Sequence, residues 1–526
     1  MKATPSKLSK ALSELCSSFE TKAIEVIQRV NLNDPSPELE ILQGDLAVAQ
    51  RNIARVLKEQ HNLCTPLGRL PDELITAILQ YGIEAQHPNL ITGNPHIFPA
   101  YSLCTRWRQI AIHTPSLWSR VVLPCSPNLF RLVRDRSDNL LLKTYVANIE
   151  SASAINMGFL GEALRQIIPR IVHLDITWHV EPSEDSPLLE VLLSTDLAWK
   201  EFSALKVLRL SDAAVFDGPA LGLNMNAPLL RAMYFCGPAH RIPRAFNHLT
   251  QVEFNWCLLP IHEILSLLGD FPLLEKCAII NHEADPDDRI HVDHPVILLD
   301  KLQVLSVDVL TTSAMHILLR HLEVPPSAVL SLGTCEDTLA DHSLHDLLGL
   351  CLSESVQLTI DGDSRKIKYS ARSKLRGAVS VNYAPSRMSF TEIRELPLLA
   401  SRAKQLSVLD IQFRNLPSLA DLIQALTIWC SITCIRVCTQ ELDFERLLTA
   451  LEETSDIVCP LLRTIDCVGT RFSSVRMKRF LEFRQQKGVR LEELRASKGY
   501  STSGLDGLRY LLDRVSEVDS AQSLNI

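Results

Sequence analysis

Nine short strings in this chain share one spacing, with an apolar residue at the first, fourth and sixth place. They are Ile171-Leu174-Ile176, Leu205-Leu208-Leu210, Leu230-Met233-Phe235, Leu249-Val252-Phe254, Leu274-Cys277-Ile279 and Leu302-Leu305-Val307, then Leu406-Leu409-Ile411, Ile432-Ile435-Val437 and Leu462-Ile465-Cys467. Their starts step by 34, 25, 19, 25 and 28 residues in the first group and by 26 and 30 in the second. Because 46% of the chain is apolar, three chosen places coincide by chance in roughly one window in ten. Two further regularities carry the pattern. Several strings share a lead-in, Pro228-Leu229-Leu230, Pro272-Leu273-Leu274 and Pro460-Leu461-Leu462, and helical segments such as Ile261–Leu268 lie between strings. A unit of one strand and one helix hides only one face by itself, so such units are stable only when stacked on their neighbours.

The strings resemble leucine-rich repeats, whose period of about 20 to 29 residues brackets most of the observed steps. That resemblance implies an α/β chain whose larger part is an irregular leucine-rich-repeat-like solenoid over residues 126–500, followed by a C-terminal tail at 501–526. In the family the ninth place is usually Asn or Cys, which satisfies buried backbone groups at the turn; among the nine strings only Cys257 matches. The turns must then be held in another way. The stretch from Leu302 to Leu406 holds no clean unit, although Val356–Ile360 and Ala378–Val381 read as strands, so repeats there are degenerate or displaced by an insertion. Strand side chains alternate, so Asp175, Arg209, Tyr234, Glu253, Ser306, Asp410, Arg436 and Asp466 face outward. Arg209, Tyr234, Glu253, Asp410 and Arg436 are the target-binding candidates, since mixed charge with an aromatic suits protein recognition.

Upstream, Leu70-Pro71-Asp72-Glu73-Leu74 places a proline in the first turn of a helix whose apolar residues 74, 75, 78 and 79 form one face. Leu103-Cys104-Thr105-Arg106-Trp107-Arg108-Gln109-Ile110 and Pro115-Ser116-Leu117-Trp118 follow. A motif of about 50 residues rarely buries so many apolar groups alone, and the surplus points to a docking surface. These residues resemble an F-box, the small helical motif that binds the Skp adaptor of cullin-RING ubiquitin ligases. The resemblance implies that residues 67–125 dock on a Skp adaptor and cullin complex through Leu70, Pro71, Leu74, Ile78, Leu103, Cys104, Trp107, Ile110, Leu117 and Trp118. It also implies that the repeats hold an unknown target protein for ubiquitylation. The run between Ile78 and Leu103 is longer than the family's, which favours the alternative of a protein-interaction scaffold outside any ligase.

Before the motif, Leu8, Leu12, Leu15, Phe19, Ala23, Ile27 and Val30 step by three or four, and Leu39, Leu42, Leu46, Ala49, Ile53, Val56 and Leu63 continue at heptad spacing with Gln60 between. Residues 1–66 are therefore N-terminal helices, which either pack as a hairpin or self-associate through residues 39–63. The net charge of −8 gives no electrostatic case for nucleic acid. No apolar run approaches a membrane span and no signal peptide opens the chain. The 14 cysteines sit mostly in apolar strings with no Cys-x2-Cys, as befits a reducing cytoplasmic or nuclear setting.

Three segments carry residue types that could support chemistry. Cys430, Cys434 and Cys438 share one strand face and read as packing rather than a metal site. His282–His294 offers ligand types without the glycine or the spacing of a calcium or zinc site, and reads as a solvated loop. Arg365, Lys366, Lys368, Arg372, Lys374 and Arg376 lack the aromatic ladder of a nucleic-acid platform and read as a solvated face. Phosphate loops, nucleophile elbows and metalloprotease motifs are missing, so the chain is read as a non-enzyme with no catalytic residue, no cofactor and no metal.

Overall fold

The computed structural model describes residues 7–29, 37–84, 104–147, 154–178, 197, 200–212, 225–236, 246, 248–283, 294–335, 347–349, 351, 355–362, 366–373, 377–384, 396–452, 457–501 and 505–519. The chain divides into two compact units, residues 1–119 with 132–138, and residues 120–131 with 139–526. It is a mixed α/β chain built on a large, mostly parallel sheet.

The first unit is helical. It holds helices α1 (Lys7–Arg29), α2 (Pro37–Cys64), α3 (Asp72–Glu84) and α4 (Thr105–His113), with a single turn of 3₁₀ helix at Leu67–Arg69 between α2 and α3 and another at Pro115–Trp118 after α4. Pro71 precedes α3, and Asp72 and Glu73 complement the positive end of its dipole. Ile75, Leu79 and Ile83 recur at helical spacing and are 0, 0 and 8% exposed, forming the buried stripe. Trp107 and Ala111 bury the matching face of α4. The Trp118 indole donates to the Ala111 carbonyl at 2.7 Å, so this buried polar group is satisfied.

The second unit begins at β1 (Arg120–Leu123), inside the range expected for the helical motif, shares α5 (Pro127–Arg136) with the first unit, to which residues from Leu132 belong, and continues through β2 (Leu142–Ala147), α6 (Ala154–Ile167), β3 (Ile171–Trp178) and β4 (Val207–Asp212). Then come β5 (Ala232–Cys236), β6 (Gln251–Cys257), α7 (Ile261–Asp270), β7 (Lys276–Asn281), β8 (Ile297–Leu298), β9 (Val304–Thr311), α8 (Thr312–Arg320) and β10 (Leu322–Glu323). Four strands follow without an intervening helix among the described residues longer than one turn: β11 (Val329–Cys335), β12 (Ser355–Gly362), β13 (Ile367–Ser373) and β14 (Val379–Ala384). The remainder is α9 (Leu396–Arg402), β15 (Val408–Gln412), α10 (Leu419–Ile428), β16 (Cys434–Cys438), α11 (Glu441–Ala450), β17 (Thr464–Cys467), α12 (Ser474–Gln486), β18 (Glu493–Ser497) and β19 (Arg514–Val518).

Except for β8 and β10, which pair with each other, these strands form one sheet of 17. Its order is β1-β2-β3-β4-β5-β6-β7-β9-β11-β14-β13-β12-β15-β16-β17-β18-β19. All neighbours are parallel except β13, which runs antiparallel to β12 and β14. A single register column crosses the sheet, and the fourth places of the sequence strings lie on it. Leu174, Leu208, Met233, Val252, Cys277 and Leu305 are successive partners, as are Leu409, Ile435 and Ile465.

The first places are 0–1% exposed in all nine strings. A recurring turn explains why. The backbone N–H of the first residue donates three residues back: Leu205 to Phe202, Leu230 to Ala227, Leu274 to Phe271, Leu302 to Leu299, Leu406 to Ala403 and Leu462 to Cys459, at 3.0–3.3 Å. The turn drives the leucine into the core and leaves Leu229 and Leu461 of the Pro-Leu-Leu lead-ins 44 and 53% exposed. Helices are stopped and started locally: Thr311 Oγ1 accepts from Ala314 N–H at 3.1 Å, Ser418 Oγ from Asp421 N–H at 3.2 Å and Ser473 Oγ from Arg476 N–H at 3.4 Å.

Between Leu302 and Leu406 the strand order reverses, so that β14 lies beside β11 and β12 beside β15. The Arg365–Arg376 stretch contains β13, whose buried Ile367, Tyr369 and Ala371 alternate with exposed Lys368 and Arg372. Gly377 permits the close approach: a Cβ there would stand 2.1 Å from the Ala328 carbonyl oxygen. At the far end, β19 lies within the expected C-terminal tail and pairs with β18 from Arg514 to Val518.

Candidate functional site

In the first unit, α3 carries two apolar faces. One is the buried stripe; the other is Leu74, Ile78 and Tyr81, which are 51, 44 and 76% exposed and recur at i, i+4 and i+7, hence on one side. Pro71 is exposed and Leu70 half-buried. Trp107, Leu117 and Trp118 are instead 5, 2 and 3% exposed, so these three residues fill the unit's own core. Cys104 and Ile110 are half-buried, and Leu103 lies outside the described residues. Arg106 is the residue sequence reasoning passed over. Its guanidinium donates to the Leu70 carbonyl at 2.7 Å, to the Gly68 carbonyl at 2.5 Å and to Asp72 Oδ1, tying α4 to the start of α3. A basic residue one place before a buried tryptophan was the available signal.

On α2, Leu46 and Val56 are 38 and 48% exposed, with Ala49 and Ile53 half-buried. The side chains of Leu39, Leu42 and Leu63 lie outside what is described.

In the second unit, the places between the inward residues form an outward column. It runs Tyr145, Asp175, Arg209, Tyr234, Glu253, Ala278, Ser306, Ser331, Ser380, Ser370, Thr359, Asp410, Arg436, Asp466, Arg495 and Ser516. All five target-binding candidates stand on it, in two groups separated by small neutral residues. In the first group the Arg209 guanidinium lies 4.6 Å over the Tyr234 ring and 4.0 Å from Asp175 Oδ2. Gln251 Nε2 donates to the Tyr234 hydroxyl at 3.0 Å, and Asn255 Nδ2 to Glu253 Oε1 at 2.7 Å. In the second group Asp410 is only 8% exposed and accepts from Gln412 Nε2 at 3.3 Å. Burial pushes its carboxyl up, against the opposing pull of Gln412 and Arg436. Next on the column, Arg495 donates to Glu493 at 3.0 and 3.1 Å and holds that carboxyl below its ordinary value.

Three of the turns beyond the strands are held by a side chain from the following strand, or from the turn just after it, rather than by a ninth-place Asn. The Asn281 side chain accepts from Leu259 N–H at 3.2 Å and donates to the Leu259 carbonyl at 3.1 Å. Thr470 Oγ1 accepts from Thr439 N–H at 3.0 Å and donates to the Val437 carbonyl at 3.1 Å, and Ser497 Oγ accepts from Gly469 N–H at 2.9 Å. Each buried turn is thus satisfied across the step between strands.

The cysteine run is not a core face. Cys434 and Cys438 flank Arg436 on the outward side of β16 and are half-buried, while exposed Cys430 precedes the strand. Burial raises both strand thiols, and raises Cys277 and Cys459 to about 12, so these are protonated and poor nucleophiles at neutral pH. Among the described residues no group of three or more His, Cys, Asp or Glu is placed to hold a metal; of His282–His294, residues 284–293 lie outside the description. Where the strand order reverses, a cavity of about 310 Å³ is lined by Leu305, Leu319, Leu330, Ala371 and Val379. No described helix is long and apolar enough to cross a membrane. Compared with protein families and with curated proteins, the chain matches no family model and no curated relative.

Proposed function

We propose that this chain is a substrate receptor of a cullin-RING ubiquitin ligase, acting in the cytoplasm or nucleus, with its first unit docked on a Skp adaptor and its second holding a target protein. The single observation that carries the reading is the second apolar face of α3. A helix that already buries Ile75, Leu79 and Ile83 has no need, for its own stability, of Leu74, Ile78 and Tyr81 on the opposite side, and such surplus surface marks an interface. The second unit is then an irregular leucine-rich-repeat-like solenoid, supported by the common turn, the unbroken register column and the cross-step clamps at Asn281, Thr470 and Ser497. Such a receptor performs no bond chemistry. It raises the effective concentration of the target's lysines near the ubiquitin-bearing enzyme. The exposed seam of α2 adds self-association through residues 39–63, which sedimentation of the full chain over a concentration series tests.

The docking test is co-expression with a Skp adaptor followed by co-purification. Leu74 and Ile78 are the sites to change, because both are exposed and a charge there spares the core. The unmodified chain is expected to retain the adaptor, and a Leu74→Asp/Ile78→Asp double variant with an unchanged circular dichroism spectrum is expected to lose it. Equal retention by both, or none by the unmodified chain, sinks the ligase reading and leaves a repeat scaffold.

A further inference from the structure

Trp256 stands in a conformation that an L side chain adopts only under constraint. Its φ is 56°, in the left-handed region, and its side chain is 64% exposed. The constraint is a β-bulge in β6. Asn255 pairs with Ile280 and Cys257 with Asn281, so Trp256 is the extra residue. Both sides of it are pinned: Cys257 is buried, His282 N–H donates to the Cys257 carbonyl at 3.0 Å, and Asn281 grips Leu259 in both directions. The result is a fixed indole aimed at solvent, with its ring 5.2 Å from that of His282. Strain of this kind collects where a side chain must be presented.

The surroundings say what would cover it. Ile280, register partner of Asn255 and Asp308, is 38% exposed and extends the apolar patch. Glu253 precedes the bulge on β6, Glu283 follows His282, and Asp308 is the register partner of Ile280 with its carboxylate over Gly333; none of the three pairs with a cation among the described residues. In sequence, the described residues 251–283 hold five carboxylates against one cation, a net −4 within a chain whose total is −8. An acidic partner is repelled, and a purely apolar one would desolvate unpaired carboxylates.

We propose that Trp256 anchors a basic polypeptide segment, an arginine or lysine stacking on the exposed indole face, its stem along Ile280 and its charge beside Glu253, Glu283 and Asp308. Cations bind tryptophan more strongly than any other aromatic side chain. This rests on the reading that the second unit receives a target protein, and it names the chemistry of that target.

The test uses the full chain and two labelled peptides, an Arg-Leu-Gly repeat and its Glu-Leu-Gly counterpart, followed by fluorescence anisotropy. The arginine peptide binds and the glutamate peptide does not, and rising salt weakens the binding. Trp256→Gly removes the ring and suits the positive φ, so it lowers affinity roughly 3- to 30-fold while the thermal midpoint stays or rises; Trp256→Tyr keeps most of the affinity. Equal binding of both peptides, or unchanged affinity in Trp256→Gly, overturns the proposal. Skp co-purification by the same Trp256→Gly chain separates the two readings. Adaptor retained without arginine-peptide binding by the unmodified chain rejects only the basic target, whereas peptide bound without adaptor rejects only the ligase.

Discussion

Arg484 is fully buried in α12, and its guanidinium reaches three backbone carbonyls. Nε donates to Val489 at 3.2 Å, Nη1 to Val458 at 3.2 Å and Nη2 to Cys459 at 3.0 Å. Cys459 has φ 46°, so the arginine clamps a strained turn. Replacing Arg484 by Ala leaves the Val458 and Val489 carbonyls without these donors, at about 1–3 kcal/mol each, leaves the Cys459 carbonyl only the Leu462 N–H, and removes two stem methylenes at about 0.8 kcal/mol each. Against this, burying the cation costs several kcal/mol, the same penalty that pulls the Arg484 pKa down. The net expected loss is about 2–4 kcal/mol, the unmade hydrogen bonds and lost stem contacts outweighing the relief of the buried charge. Arg484→Met refills most of the volume and removes the charge, and is expected to lose only about 1–3 kcal/mol. Urea unfolding of the full chain measures the total. Maleimide labelling read by peptide mapping measures the place, since Cys459 is 0% exposed and its thiol is pushed up to about 12. Faster labelling of Cys459 than of Cys277 is expected in Arg484→Ala. A loss below about 1 kcal/mol, with Cys459 still protected, would refute the clamp.

Two other outcomes follow from single contacts. Gly333 leaves room for Asp308, whose Oδ1 lies 1.5 Å from where a Cβ would stand; Gly333→Ala is expected to cost about 1–3 kcal/mol, and a double-mutant cycle with Asp308→Ala should recover most of it, additivity counting against the clash. His173 has its pKa lowered below 6.5 by burial, against the attraction of Asp175, so below pH 6.5 the unfolded chain takes up more protons than the folded one and stability falls until the folded pKa is passed; His173→Gln should flatten that part of a chemical-denaturation pH series, and an unchanged slope would remove His173 as its source.

The sequence made the inward side of the sheet legible because burial there demands one residue type at fixed spacing. Leu208, Val252, Ile435 and the other fourth places lie in register as the spacing predicts. The reversal at β12–β14 was not legible, since strand order depends on tertiary pairing that no local pattern encodes, and β13 offers Ile367, Tyr369 and Ala371 between charges that suggest surface. The clamps were hidden for a related reason. Arg484 sits in a charged run, Arg479 to Gln486, whose amphipathicity gives no hint that one arginine turns inward. Nothing in the sequence marks Trp256 as exposed, since it stands beside Cys257 and Leu258 in an apolar string, and the bulge that shifts it out of alternation has no glycine or proline to announce it. For α3 the apolar pair at 74 and 78 was visible in sequence, but separating it from 75 and 79 needed the burial of each.

The outward column also bears on which of its residues can hold a partner. Along β15 to β18 the signs alternate, Asp410, Arg436, Asp466 and Arg495, on strands about 4.7–4.9 Å apart. Each charge therefore has an opposite register partner on the next strand, and Arg495 is ion-paired with Glu493 at 3.0 Å and Asp466 at 4.0 Å. A partner that engages one of them competes with that opposite neighbour, so the exchange contributes little affinity. The same holds for Asp175 and Arg209, and the middle of the column, Ser306 to Thr359, offers only small hydroxyls. Net attraction requires imbalance, and near the fixed indole Glu253, Glu283 and Asp308 pair with no cation among the described residues. Charge reversal at Asp466 should then change stability more than peptide binding, whereas Glu283→Lys should abolish arginine-peptide binding and leave the urea midpoint within about 0.5 kcal/mol; the opposite ranking would shift the recognition surface to the β15–β18 ladder.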